Sequence, residues 1–178
     1  MRRTLVVAAL SFTIALAGRL PAQSDGDSPN AFVVRPALSL SAGVSQFDLS
    51  GTGTTGILAV RGEYPIVPAL LVEGGVTIAR PDQQFDIDGT LVMPEVQLQL
   101  QLPRRVAPFI GLGTGFSHDG AVARFGGDAN DITFSGAAGL RAAVTRAVGL
   151  RMELRVRYFG TGFTGATADW TLGVAWRL

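Results

Sequence analysis

The chain has no cysteine. Neither a disulfide framework nor a thiolate metal site is available to it, and the anchoring cysteine of a lipoprotein is missing too. Lysine is also absent: all fifteen basic residues are arginine, and against fourteen acids they leave a formal charge of +1. That near balance gives no basic face of the kind nucleic-acid binding requires. Beyond the N-terminal region no segment has 18 consecutive apolar residues, which excludes a spanning helix in the mature chain. Yet 47% of the residues are apolar. An apolar chain without a spanning helix has two outlets, a soluble core or a closed barrel wetted outside by lipid.

The N-terminus points to export. Arg2 and Arg3 precede an apolar stretch from Leu5 to Ala17, broken only by Ser11 and Thr13, and Leu20-Pro21-Ala22 offers a small-residue cleavage site. Residues 1–22 read as a secretory signal and 23–30 as a disordered lead, leaving 31–178 as one domain.

From Phe32 onward the hydrophobic period is two, the period of strands whose successive side chains face opposite ways. The segment 92–102 is the clearest: Val96, Leu98, Leu100 and Leu102 alternate with Glu95, Gln97, Gln99 and Gln101. The same alternation marks 32–44, 56–64, 70–78, 106–116, 132–142, 148–158 and 170–178, giving eight strands. The connections 65–68, 103–105 and 145–147 are short, whereas 48–54, 80–91, 117–131 and 160–169 are longer. Short turns at one end and long loops at the other match a membrane barrel with periplasmic turns and outer loops. An even strand count then puts both termini in the periplasm. Pro36, Pro94 and Pro108 fall near strand ends, where a missing N–H costs least; Pro94 is also a candidate bulge.

The two faces differ in chemistry. Glu63, Glu73, Glu95 and Glu153 share the polar face with Arg35, Arg61, Arg141, Arg151, Arg155, Arg157 and Arg177, and every aspartate is assigned to the lead, a loop or a loop edge. The apolar face carries no charge, as lipid demands. Its aromatics sit at strand ends: Phe32, Tyr64 and Trp176 at the short-turn end, and Phe116, Phe134, Tyr158 and Trp170 at the long-loop end. Such girdles bracket the aliphatic band of membrane barrels.

On these features the chain resembles the small outer-membrane barrels of the OmpA/OmpX type from about Phe32 to Leu178. The last strand is similar to the signal read by the barrel-assembly machinery, through Thr171, Gly173, Trp176 and Leu178, with leucine where phenylalanine is usual. The resemblance implies an all-β, eight-stranded antiparallel up-and-down transmembrane barrel in the outer membrane of a Gram-negative (diderm) bacterium. The partners it implies are outer-membrane lipid, lipopolysaccharide and the assembly machinery, with the barrel a monomer. The peptidoglycan-binding domain attached to some members is not expected here.

A barrel of eight strands is filled by its own side chains. The inward arginines and glutamates are therefore expected to pair across the lumen, with Gly111, Gly113 and Gly115 giving room to long neighbours. The leading expectation is a structural or interaction protein with a plugged lumen and contacts made by surface loops. A narrow gated pathway through the excess of arginine is the alternative, and a lipid-modifying enzyme comes third. No enzyme activity, cofactor or metal is expected. The sole histidine, His118, lies in Ser117-His118-Asp119-Gly120; the lipid A deacylases it faintly resembles have a serine where this chain has Gly120. Neighbours on a strand also point apart, which separates His118 from Ser117 and Asp119. Asp82, Asp86 and Asp88 in one loop, and Asp119, Asp128 and Asp131 in another, lack the spacing of a calcium loop. Phe85, Phe125 and Phe163 are loop aromatics suited to contact with a partner or with lipopolysaccharide sugars.

Overall fold

The structure, a computed structural model, describes residues 35–47, 53–80, 90–119, 130–160 and 165–178. The expected signal segment 1–22 and lead 23–30, Phe32 and most of the long connections lie outside the described residues.

Eight strands form: β1 (Ala37–Phe47), β2 (Gly53–Val67), β3 (Leu70–Ala79), β4 (Leu91–Gln101), β5 (Val106–Asp119), β6 (Asn130–Ala143), β7 (Val148–Phe159) and β8 (Gly165–Arg177). Each pairs antiparallel with its neighbours in sequence, and β8 returns to β1 with Ala37 opposite Arg177 and Phe47 opposite Thr167. The sheet therefore closes on itself. Closure leaves no open edge, so the strands satisfy one another's backbone donors and acceptors.

Several strands run further toward the long-loop end than the hydrophobic alternation does. β2 begins at Gly53, β5 continues to Asp119, β6 begins at Asn130 and β8 begins at Gly165. Backbone pairing needs no apolar side chain, so the ladder persists through Thr54, His118 and Asp131 after the alternation has faded. At the other end the turn expected at 65–68 narrows to 68–69, because β2 continues through Pro65 to Val67.

The prolines are absorbed without a bulge at Pro94. Pro94 sits opposite Val76, and on its other side the pairing passes from Val92–His118 to Glu95–Gly115 in one register. The register shift lies instead between Pro65 and Val67. Pro108 keeps its place opposite Leu140, and Pro36 lies just ahead of β1.

Alternation sorts the side chains inside out. Leu40, Val60, Val96, Leu98, Leu112 and Leu172 are exposed on the outer wall, while Arg61, Glu73, Gln97, Arg151 and Glu153 are buried within. Leu112 is 76% exposed and Arg151 only 1%. No arginine, aspartate or glutamate takes an outward position within the described strands. A continuous apolar wall of this extent marks a surface that meets something other than water.

Candidate functional site

The lumen holds the chemistry. β7 alternates Arg151, Glu153, Arg155 and Arg157 inward with Leu150, Met152, Leu154 and Val156 outward. Four strands away around the wall, and so across the barrel, β3 presents Glu73; β2 adds Arg61 and Glu63, β4 adds Glu95, and β6 adds Arg141. At a strand rise of about 3.3 Å per residue, the cations of β7 span about 20 Å along the strand.

The pairs interlock. Arg151 contacts Glu63, Glu73 and Glu153, with its Nε donating to Glu153 at 3.1 Å. Arg155 reaches Glu73 at 2.7 Å, Glu153 at 2.8 Å and also Glu95. Arg61 lies 3.2 Å from Glu153 and 3.5 Å from Glu73, and Arg141 lies 3.3 Å from Glu63. Arg157 bonds Glu95 at 2.9 Å and pairs with Asp169. Neutral donors complete the mesh: Ser135 donates to Glu95 at 3.1 Å, Gln99 to Gln97 at 2.6 Å and Ser45 to Asp169 at 2.6 Å. Arginine suits this work because its planar fork reaches two or three carboxylates at once and stays charged when buried.

Three assignments from the sequence change. Arg35 is exposed and lies ahead of β1, not in the lumen, because Pro36 separates it from the first paired residue. Arg177 is half-buried at the end of β8, at the short-turn rim. Asp169, assigned to a loop, is 1% exposed inside the barrel. The lumen therefore holds five buried arginines (Arg61, Arg141, Arg151, Arg155, Arg157) and five carboxylates (Glu63, Glu73, Glu95, Glu153, Asp169). The excess of arginine expected from the sequence is gone.

The mouths of the lumen are also more apolar than the alternation suggested. Ile57, Ala79, Leu91 and Met93 form a buried cluster toward the long-loop end, with Phe159 packed against it. Toward the short turns Phe109 points inward under Arg141, whose guanidinium carbon is 4.1 Å from the ring centroid, and Arg151 lies 5.0 Å away. A cation over a ring face gains from its quadrupole, the more so when desolvated. Phe109 fits because β6 has a glycine beside it: a Cβ on Gly139 would come within 2.6 Å of the ring. Gly111 likewise leaves room for Gln97 and Gln99, and Gly113 for Gln97 and Ser135.

On the outer wall Tyr64 and Trp176 stand exposed near the short turns, and Phe116, Phe134 and Trp170 toward the long loops; Tyr158 is half-buried on the same outward side. Phe32 lies outside the described residues. On β8, Thr171 and Gly173 face inward while Trp176 is exposed, as is Leu178 just past the strand. A Cβ on Gly173 would collide with Leu40 and Ser41 of β1, so this glycine lets the closing strands meet.

His118 and Ser117 take opposite faces. Ser117 is buried and its hydroxyl donates to the Asp131 carbonyl at 3.4 Å, whereas His118 is exposed and its Nδ1 lies 2.9 Å from Asn130 Oδ1. They form no nucleophile–base pair. Asp131 accepts from the Ile132 amide at 2.9 Å. Among the described residues no group of three metal-ligating side chains converges; Asp82, Asp86, Asp88 and Asp128 lie outside them.

The architecture has known counterparts. Neisserial surface protein A superposes with a TM-score of 0.65 at 16% identity, covering 86% of this chain and 100% of that one. The outer membrane protein OprG from Pseudomonas aeruginosa gives 0.56 at 11%, over 85% and 99%. Ail, the attachment invasion locus protein of Yersinia pestis, gives 0.54 at 15%, over 82% and 99%. No curated protein matches the chain in sequence. The sequence pattern of the outer membrane protein beta-barrel domain does match, over residues 6–177. An apolar outer wall around a lumen of paired charges is what such a family needs in lipid, and the chain belongs to the outer membrane protein beta-barrel domain family.

Proposed function

We propose that this protein is a closed structural and interaction element of the outer membrane, with its lumen plugged and its contacts made by the surface loops. The carrying observation is the balanced set of five buried arginines and five buried carboxylates, whose pairs tie β2, β3 and β4 to β6 and β7, with Asp169 of β8 paired to Arg157 of β7. Ions crossing such a lumen must displace charges that already neutralise one another in pairs, and then pass apolar side chains at both mouths. Apolar constrictions resist wetting, so neither stage favours conduction.

The biogenesis that goes with this role is export by residues 1–22 and insertion as a monomer by the barrel-assembly machinery, which reads Thr171, Gly173, Trp176 and Leu178. The short turns then face the periplasm with both termini, and the long loops face outward among lipopolysaccharide. Those long connections carry Asp48, Asp82, Phe85, Asp86, Asp88, Phe125, Asp128 and Phe163, a mixture of acids and aromatics suited to surface contacts.

Planar bilayers test the plug. The purified barrel is expected to give no steady current steps across the ordinary voltage range. A stable and reproducible unit conductance would overturn the closed-lumen reading and favour a gated pore.

A further inference from the structure

Charge is divided unequally between the two ends of the barrel. The long connections and their edges hold Asp48, Asp82, Asp86, Asp88, Asp119, Asp128 and Asp131 against Arg80 and Arg124. At the other end are Arg35, Arg104, Arg105, Arg146 and Arg177, and neither the short connections nor the residues flanking β1 and β8 there include an acid. Arg35, Arg104, Arg105 and Arg146 are exposed and form no ion pair among the described residues.

These five arginines lie on one continuous arc. The Arg105 carbonyl accepts from the Ala143 amide, which joins the β4–β5 turn to the end of β6. The Ala147 carbonyl accepts from the Arg177 amide, joining the Arg146 turn to the end of β8. Leu178 in turn donates to Pro36, beside Arg35. The remaining turn, Pro68-Ala69, is uncharged.

The arc also has a definite height. Val106 follows Arg105 directly and is exposed on the outer wall, Val144 precedes Arg146 by two residues, and Trp176 precedes Arg177. Arg104, Arg105, Arg146 and Arg177 are thus within one or two residues, or about 7 Å of strand, of a side chain belonging to the apolar wall, and Arg35 lies three residues, or about 10 Å, before Leu38. Long arginine side chains at that level reach the plane of the lipid headgroups while their stems stay over apolar surface.

We propose that this arc binds anionic phospholipid headgroups, through their phosphates, in the leaflet at the short-turn end. An arc of guanidinium groups, of which Arg35, Arg104, Arg105 and Arg146 are exposed, level with the headgroups and without acidic side chains among them, complements that surface; a zwitterionic lipid offers no net charge to it. The inference goes beyond the closed-lumen reading and does not depend on it.

The test uses Trp176 as a local reporter. It sits on β8 between Leu38 and Val148 at this rim, and Trp170→Phe removes the other tryptophan. Quenching by brominated phosphatidylglycerol, against brominated phosphatidylcholine, gives the relative association constant of the two lipids in mixed bilayers. The expected preference for phosphatidylglycerol is roughly tenfold, falling to near unity in the Arg35→Gln, Arg105→Gln, Arg146→Gln triple variant. With Trp170 as sole reporter, in Trp176→Phe protein, no such preference is expected. If the triple variant fails to fold, the unsubstituted arc still answers: its preference should collapse as salt rises from about 0.05 M to 1 M. Equal quenching by the two lipids at Trp176 overturns the proposal. So does a preference that survives loss of the three arginines, that ignores salt, or that appears equally at Trp170. Arginine-dependent capture of peptidoglycan without any lipid preference also overturns it.

Discussion

Replacing Arg151 with methionine is expected to destabilise the folded barrel by about 3–5 kcal/mol, the cost of breaking a buried ion pair from one side. The reason lies in its partners. Its guanidinium contacts Glu63 from β2, Glu73 from β3 and Glu153 from its own strand. Without it Glu63, Glu73 and Glu153 keep only Arg141, Arg61 and Arg155, and the buried lumen holds one carboxylate more than its guanidinium groups can balance. Much of the loss reflects the charges left behind, not an intrinsic benefit of the pairs, since a buried network bears a large desolvation cost. Adding Glu63→Gln to Arg151→Met should therefore restore part of the stability. A coupling of about 0.5–3 kcal/mol between the two sites is expected from a double-mutant cycle. Urea unfolding in lipid vesicles, followed by tryptophan fluorescence, measures both. A loss below about 1 kcal/mol for Arg151→Met would mean that the lumen behaves as an exposed, water-screened surface.

The outer wall should be equally intolerant, for the opposite reason. Val96 lies midway along β4 and is 58% exposed. On a water-facing surface, substitution by arginine would usually change stability by no more than about 0.5 kcal/mol. Against hydrocarbon the same change should cost about 2–4 kcal/mol, falling to about 0–1 kcal/mol at the interface. Val96→Arg is thus expected to be far more damaging than Val106→Arg, at the short-turn rim beside Arg105. The same unfolding assay compares them. Equal, small effects at both positions would remove the physical ground for a lipid-facing wall.

Strand number, order and facing were legible in the sequence because alternation is a direct record of which side chain meets which medium. Glu95, Gln97, Gln99 and Gln101 against Val96, Leu98 and Leu100 leave one way for β4 to sit in a closed sheet. The alternation fails where the side chains become small. Gly165, Ala166, Thr167 and Ala168 pair through their backbone but carry no large apolar side chain, so the hydrophobic pattern starts only at Trp170 and leaves Asp169 in a loop. Counting back in twos from Thr171 would have put Asp169 in the lumen, and this was the available signal. Phe109 was missed for a different reason. An aromatic on the inward side runs against the polar pattern, and only the space left by Gly139, on a strand distant in sequence, explains it. Arg35 went the other way: its parity matched the lumen, but β1 begins at Ala37, and parity has no force ahead of the first paired residue. Which arginine meets which carboxylate was never in the sequence pattern, since β2–β4 and β6–β7 come together only when the barrel closes.

The most direct measurement is refolding from urea with and without an amphiphile, read by circular dichroism and by gel mobility before and after heating. Refolded in detergent micelles or short-chain lipid vesicles, the mature chain should show β-rich dichroism and a mobility that shifts on boiling. In plain buffer it should show neither. Recovery of a folded, monodisperse monomer from buffer alone would contradict an apolar exterior built for hydrocarbon.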